Sequence, residues 1–288
     1  MIKLPLTFMI PVKMDTPDRE RNLMAVTSYL LHNFDCPIII TEADVDQKAL
    51  NFIPKDERVT YRFCKLNSDD PFHRTKYLNE MTHLSTTDCV ANYDVDVMFH
   101  AKSIEYATNL LMNDGADVIY PFGRGEYDQV RVFCTSDLDA KRFIEEKYHY
   151  GPHTFPQGDI PSSTNDPLGF QHETMNFSRW TTMAGHCQLF KKESYLSGYL
   201  ENENFISWGP EDAERLHRFE TLGYDVRHLK GNLVYHLEHA QSVDSGRSNP
   251  HLSMNEILWD SLSKMSKSEL TEYYEAQTYM KKYKTVTA

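Results

Sequence analysis

Short apolar runs alternate with helix-period stretches over the first hundred residues, and that alternation leaves few folds open to the chain. Leu6 to Val12 reads as a buried strand; Asp15, Thr16 and Pro17 start a helix, and Leu23, Val26, Tyr29 and Leu30 fall at helical spacing through His32. Pro37 to Thr41 is a second strand, Asp46 to Phe52 a short helix and Arg58 to Phe63 a third strand. This β-α-β-α-β order predicts an α/β domain with a mostly parallel sheet and helices on both faces, since parallel strands need crossovers that pack back on the sheet. The helix Phe72 to Leu84 then delivers the chain into Cys89-Val-Ala-Asn-Tyr-Asp-Val-Asp-Val-Met-Phe99. If that stretch is extended, Asp94 and Asp96 share one face while Val95 and Val97 point into protein. Paired carboxylates repel each other unless positive charge lies beside them, and a divalent cation answers that need. A solvated turn is the plainer reading, but the carboxyl edge of an open α/β sheet is where such folds hold ligands.

Further along, Ala101 to Asn113 reads as helix and Asp117 to Phe122 as strand. Tyr148 to Trp180 is dominated by Gly, Pro, Ser, Asn and His and is expected to be a long substrate loop or a plain insertion. Gly185 to Phe190 is a strand and Lys191 to Ser197 a short helix. Pro210 suits a first helical turn, which places Glu211, Asp212 and Glu214 near the positive end of a helix reaching Leu222. Tyr224 to Tyr235 is β-like around a Gly231-Asn232 turn. From Met254 to about Lys284 a polar helix is expected, with Ser266 or Ser268 as its start signal.

Composition narrows the function classes. A net charge of −12 argues against a nucleic-acid partner, whose phosphates call for clustered Lys and Arg. The five cysteines (36, 64, 89, 134 and 187) are odd in number and widely spaced, which fits neither a disulfide framework nor a zinc ribbon. The apolar run Leu4 to Val12 is too short to span a membrane and is interrupted by Pro5 and Pro11, so no transmembrane segment and a cytoplasmic location are expected, with peripheral membrane association at most. Neither Gly-x-Gly-x-x-Gly nor Gly-x-x-x-x-Gly-Lys-Ser/Thr occurs, and His236-Leu-Glu-His239 is not the His-Glu-x-x-His of zinc proteases.

Three ordered blocks carry a resemblance. Pro71-Phe-His-Arg-Thr-Lys-Tyr-Leu-Asn79, Asp94-Val-Asp96 and Trp208-Gly-Pro-Glu-Asp212 are similar to motifs of the β-1,4-galactosyltransferase family and its bacterial or viral relatives, enzymes of the A-type glycosyltransferase fold. The resemblance runs from about residue 6 to 250. It implies one domain over 1–250, with a nucleotide-binding half (1–100) and an acceptor and catalytic half (101–250), followed by a helical extension over 251–288. It further implies donor contacts from Arg74, Lys76, Asp94, Asp96, Trp208 and Glu211, a base at Asp212, and manganese or another divalent cation on Asp96 and His239, with His236 where the family has Met. Pro210 and Ala213 depart from the family's Gly and acid, so acceptor contacts differ.

The residues support the same chemistry on their own terms. A cation neutralises a leaving diphosphate without a proton, a carboxylate and imidazoles suit a borderline ion such as manganese, and Arg74 adds bidentate charge. Asp212 is the candidate that accepts the proton of an attacking hydroxyl. Each has a duller rival: Trp208 as core, Glu211 and Asp212 as helix-dipole acids, Arg74 and Lys76 as a solvated face. The expectation is therefore a metal-dependent, inverting hexosyltransferase that moves galactose, N-acetylgalactosamine or glucose from a UDP-sugar to a glycan or glycolipid. The alternatives are a retaining N-acetylgalactosaminyltransferase-like enzyme, a nucleotidyltransferase, and a sugar-nucleotide or glycan-binding module without turnover.

Overall fold

The run Leu6–Val12 is buried at every residue, and a strand with no exposed face must have neighbours on both sides and layers above and below. The computed structural model describes residues 1–125, 128–134, 175–180 and 183–284. After the two-residue β1 (Ile2–Lys3), Leu6–Val12 is β2, and α1 (Pro17–Asn33) follows, capped by the Thr16 hydroxyl, which accepts from the Arg19 backbone N–H. Then come β3 (Phe34–Asp35), β4 (Ile38–Asp44), β5 (Val59–Lys65), α2 (Arg74–Leu84), β6 (Cys89–Tyr93), β7 (Val97–Phe99), α3 (Ala101–Asn113) and β8 (Val118–Tyr120). The second half contributes β9 (Gln129–Cys134), β10 (Met175–Trp180), β11 (Cys187–Lys191), α4 (Lys192–Ser197), α5 (Glu211–Leu222), β12 (Val226–His228) and β13 (Val234–Leu237). It closes with α6 (Leu252–Leu262), α7 (Lys267–Ala276) and α8 (Thr278–Lys284).

The main sheet has the order β12-β8-β11-β6-β2-β4-β5 and is parallel except for β11, which runs antiparallel to β6 and β8. The chain is thus a mixed α/β fold whose mostly parallel central sheet is flanked by helices. A second sheet, β10-β9-β13-β7, stands beside it.

Five expectations need correcting. Cys89 to Phe99 is not one strand: β6 ends at Tyr93, Asp94 to Asp96 form a turn, and β7 belongs to the second sheet. The Asp94 N–H donates to the His186 carbonyl (2.9 Å) and the Leu237 N–H to the Asp96 carbonyl (2.7 Å), so the turn is bolted to both sheets and the two carboxylates do not share a strand face. Of the expected loop from Tyr148 to Trp180, residues 148–174 lie outside the described residues, while Met175–Trp180 is a strand paired antiparallel with β9. Asp46 to Phe52 contains only a single turn of 3-10 helix, Ala49–Asn51. The polar tail is three helices rather than one, and the Ser266 signal is a capping box with Glu269 that opens α7. Pro210 sits at the N-cap of α5, just ahead of the first turn.

Buried charge fastens α5 to the neighbouring loop. The fully buried Arg218 donates to Glu214 (Nε to Oε1, 2.9 Å), to the Leu200 carbonyl (2.7 Å) and to the Gly198 carbonyl, while Tyr274 of α7 donates to Glu214. These bonds pin Tyr199 and Leu200, both of which hold positive φ (72° and 59°) without being glycine. Replacing Arg218 with Met strands Glu214 and two carbonyls, so Arg218→Met is expected to cost about 3–5 kcal/mol of unfolding free energy in a urea titration.

Candidate active site

The turn between the two sheets sets Asp96 against β13. Asp96 is buried, and the Leu237 bond to its carbonyl brings His236 and His239 to either side of its carboxylate. The His239 Nε2 is 3.1 Å from Asp96 Oδ2 and the His236 Nε2 is 3.7 Å from Oδ1. Each imidazole has its other nitrogen occupied: His236 Nδ1 donates to Glu238 Oε1 (2.9 Å) and His239 Nδ1 to the Ala240 carbonyl (2.8 Å). With Nδ1 tied to an acceptor, Nε2 is left to face Asp96 or, once it gives up its proton, to offer a lone pair to a cation, as in metal-bound histidines backed by an outer acceptor. One ligand atom from each of Asp96, His236 and His239 lies within 4.8 Å of the others, and one carboxylate with two imidazoles fits manganese or a similar divalent ion.

Electrostatics favour the charged forms of Asp96 and His236. Burial alone pushes the Asp96 carboxyl up, but Arg19, His236 and His239 outweigh it and hold it well below the usual carboxylate range. Arg19 of α1 donates from Nη1 to Asp96 Oδ2, so a side chain already supplies positive charge where a cation would bind. Burial pulls His236 down, yet the Asp96 and Glu238 carboxylates raise it overall. Glu238 is itself lowered to about 2, because Arg131 and His236 more than offset its burial.

A cleft of about 470 Å³ opens from the trio, lined also by Arg74, Asp94, Trp208, Glu211 and Asp212. Arg74, the first residue of α2, donates to Asp94 Oδ1 (2.6 Å), and its Nη1 lies 3.8 Å from Asp212 Oδ1. Lys76 is outside the cleft lining: its Nζ rests 5.9 Å from the centre of the Tyr77 ring. Trp208 is 39% exposed and therefore is not core. Its carbonyl is gripped from α6 and the loop before it, by Asn255 (3.3 Å) and Asn249 (2.5 Å). Gly209 is required there, since a Cβ would come within 2.7 Å of Asn255 Nδ2. On the other side Ser207, at φ 61°, donates to Asp244 Oδ1 (2.7 Å), and Asp244 Oδ2 holds Lys13 Nζ at 2.5 Å.

Glu211 and Asp212 are adjacent in the first turn of α5 and differ sharply in surroundings. Burial, reinforced by the neighbouring Asp212 charge, pushes Glu211 up to about 8, and its Oε2 finds no partner among the described residues. Asp212 instead accepts from Arg215 Nη2 (2.8 Å), and Arg215 is anchored by Glu201 (Nε to Oε1, 2.6 Å). Neutral Glu211 can donate a hydrogen bond; the arginine-oriented Asp212 can accept one.

Sequence reasoning did not find Lys13, Arg19, Glu238 or Asp244. Their partners lie far along the chain, Arg19 to Asp96 across 77 residues and Lys13 to Asp244 across 231. The only local signal was the Thr16-Pro17 helix start, which puts Arg19 in the first turn of α1. His186 also lines the cleft, where burial, with His236 alongside, lowers it to about 4.

No protein-family model and no curated protein matches the chain. Solved structures do. A mannosyltransferase from Pyrobaculum calidifontis, solved in complex with GDP-Man and Mn2+, superposes with a TM-score of 0.50 at 10% identity over 97% of this chain and 70% of that one. The catalytic domain of a Drosophila β1,4-galactosyltransferase 7, in complex with xylobiose, superposes with a TM-score of 0.46 at 14% identity over 89% and 80%. The shared feature is the fold, that of A-type glycosyltransferases.

Two outcomes follow from the electrostatics. Arg19 competes with any cation for Asp96, so Mn2+ alone is expected to raise the melting temperature more in Arg19→Ala than in the unaltered protein. Glu211 holds its proton in the fold up to about pH 8 but loses it near 4.5 when unfolded, so its contribution is full below pH 4.5 and disappears as pH rises through 8. Thermal unfolding followed from pH 5 to 9 is expected to show Glu211→Gln gaining stability relative to the unaltered protein as pH rises.

Proposed function

We propose that the protein is a metal-dependent glycosyltransferase that moves a hexose, namely galactose, N-acetylgalactosamine or glucose, from a UDP-sugar to a hydroxyl of a glycan or glycolipid with inversion at the anomeric carbon. The observation that carries this reading is that the Asp96, His236 and His239 trio and the Asp212 carboxylate line one cleft on an A-type glycosyltransferase fold. A cation bound by the trio would neutralise charge on the leaving diphosphate. Arg74, freed from Asp94 when an anionic donor arrives, adds a bidentate guanidinium to the same phosphates.

The acceptor oxygen attacks the anomeric carbon from the face opposite the phosphate. The bond from that carbon to the phosphate oxygen breaks, its electron pair departs on UDP, and the acceptor proton passes to Asp212. Arg215 and Glu201 hold Asp212 in orientation for that transfer. Protonated Glu211 donates to a sugar hydroxyl, and the exposed Trp208 offers an apolar face to a sugar ring. Asp212 is anchored by Arg215 beside a Glu211 that burial keeps protonated, an arrangement that supports a single displacement with Asp212 as the base.

Thermal unfolding tests the donor and the cation together, because a ligand that binds only the folded chain raises its melting temperature. UDP with Mn2+ is expected to stabilise the protein, and Asp96→Ala to abolish the effect. Asp212→Asn is expected to keep that stabilisation while sugar transfer falls by roughly 10²–10⁴-fold. Equal stabilisation of the unaltered protein and Asp96→Ala defeats the metal assignment, and release of pyrophosphate instead of UDP marks a nucleotidyltransferase.

A further inference from the structure

Between the cation trio and Asp212 stands a residue whose backbone is under strain. His186 has φ 70°, and the Gly185 carbonyl accepts from the Cys187 N–H across it at 2.9 Å, closing a three-residue turn in its strained, positive-φ form. Glycine adopts that conformation freely, whereas a residue with a Cβ holds it only where the surroundings insist. Here they do: the His186 carbonyl accepts from the Asp94 N–H (2.9 Å), tying the turn to the junction of the two sheets. Gly185 beside it lies close to the opposite wall: a Cβ there would sit 3.3 Å from Asp212 Oδ2, a tight approach.

The strained backbone directs an imidazole into the cleft. Its ring meets Phe122 edge-on (5.9 Å between centres, 73°) and tilts against His236 (5.5 Å), so its position is set by packing. Among the described residues no group hydrogen-bonds its ring nitrogens, and it falls outside the three-residue set that can hold a cation. The side chain therefore has hydrogen-bonding capacity to spare. It touches His236 at one end of the cleft, and its turn abuts Asp212 at the other. On the glycosyltransferase reading, on which this inference rests, the transferred sugar must lie between those ends.

We propose that His186 reads a hydroxyl of the transferred hexose and so sets which sugar the protein moves. An imidazole offers one donor and one acceptor, a fit for a hydroxyl whose direction differs between epimers. A site built to hydrogen-bond a hydroxyl discriminates strongly against a sugar that lacks it or points it elsewhere.

The test uses the full chain with Mn2+ and four donors: UDP-galactose, UDP-glucose, UDP-N-acetylgalactosamine and UDP-N-acetylglucosamine. UDP release with water as acceptor gives kcat/KM for each, and calorimetry gives the affinities for UDP and Mn2+. His186→Ala and His186→Gly are expected to lose on the order of 10–100-fold in kcat/KM for the preferred donor. The ratio between 4-epimers should flatten towards one, while UDP and Mn2+ affinities stay within about 3-fold, below the cost of one lost hydrogen bond. His186→Gly is also expected to melt at or above the temperature of the unaltered protein, because it relieves the positive φ. That variant separates a recognition role from a structural one. Unchanged donor ratios in both variants overturn the proposal, as does a fall in Mn2+ affinity as steep as the fall in turnover. If the unaltered protein binds UDP and Mn2+ but none of the four sugars is released, His186 is not the reader of a hexose. If it binds no UDP at all, the glycosyltransferase reading fails and takes this inference with it.

Discussion

A carboxylate shut away from water at the junction of two sheets must be matched by positive charge, and the architecture around Asp96 is arranged to do so. The main sheet brings the chain to Tyr93, the second sheet receives it at Val97, and Asp96 hangs in the turn between them. α1 contributes Arg19, and β13 with the residues after it contributes two imidazoles. Because these groups come from three separate parts of the chain, the compensation exists only once both sheets have formed. The same circumstance suits the spot to a cation: side chains gathered to stabilise one buried negative charge are also near enough to share it with a metal.

A second polarity operates across the cleft. Glu211 and Asp212 are neighbours in sequence, yet one is buried with its Oε2 unpartnered among the described residues and the other faces Arg215 backed by Glu201. The helix start places them both at the cleft wall, but burial keeps Glu211 protonated while Arg215 orients Asp212. The pair can therefore do two things at one wall, since the protonated Glu211 can donate a hydrogen bond while Asp212 accepts one.

Much of this was readable from the chain because the signals are local. Leu6–Val12, Ala101–Asn113 and the Ser266 cap were visible from period and capping residues alone. His236 and His239 read as the end of a strand because the run Asn232-Leu-Val-Tyr235 before them is β-like. The two-residue period misled at Asp94 and Asp96, because it presumes that a strand continues, and here the chain changes sheets. Arg19 and Lys13 were hidden for another reason: a helix or strand-end pattern does not say which distant carboxylate a cation will meet. Lys76 shows the converse, a residue inside a familiar-looking block whose side chain turns along the helix surface instead of into the cleft.

The three closing helices look detachable in the sequence, being polar and set beyond the last strand. The structure gives them another standing. Asn255 of α6 donates to the Ile206 carbonyl (2.9 Å) and receives the Ile206 N–H (3.2 Å), while Tyr274 of α7 reaches Glu214 and accepts from Asn202 (3.0 Å). They act as a buttress behind the loop that presents Trp208, so the shape of the cleft floor is determined in part by residues that never touch its contents. Shortening the chain at residue 250 would remove Asn255 and Tyr274 together, and with them the support behind both Trp208 and the helix that carries Glu211 and Asp212.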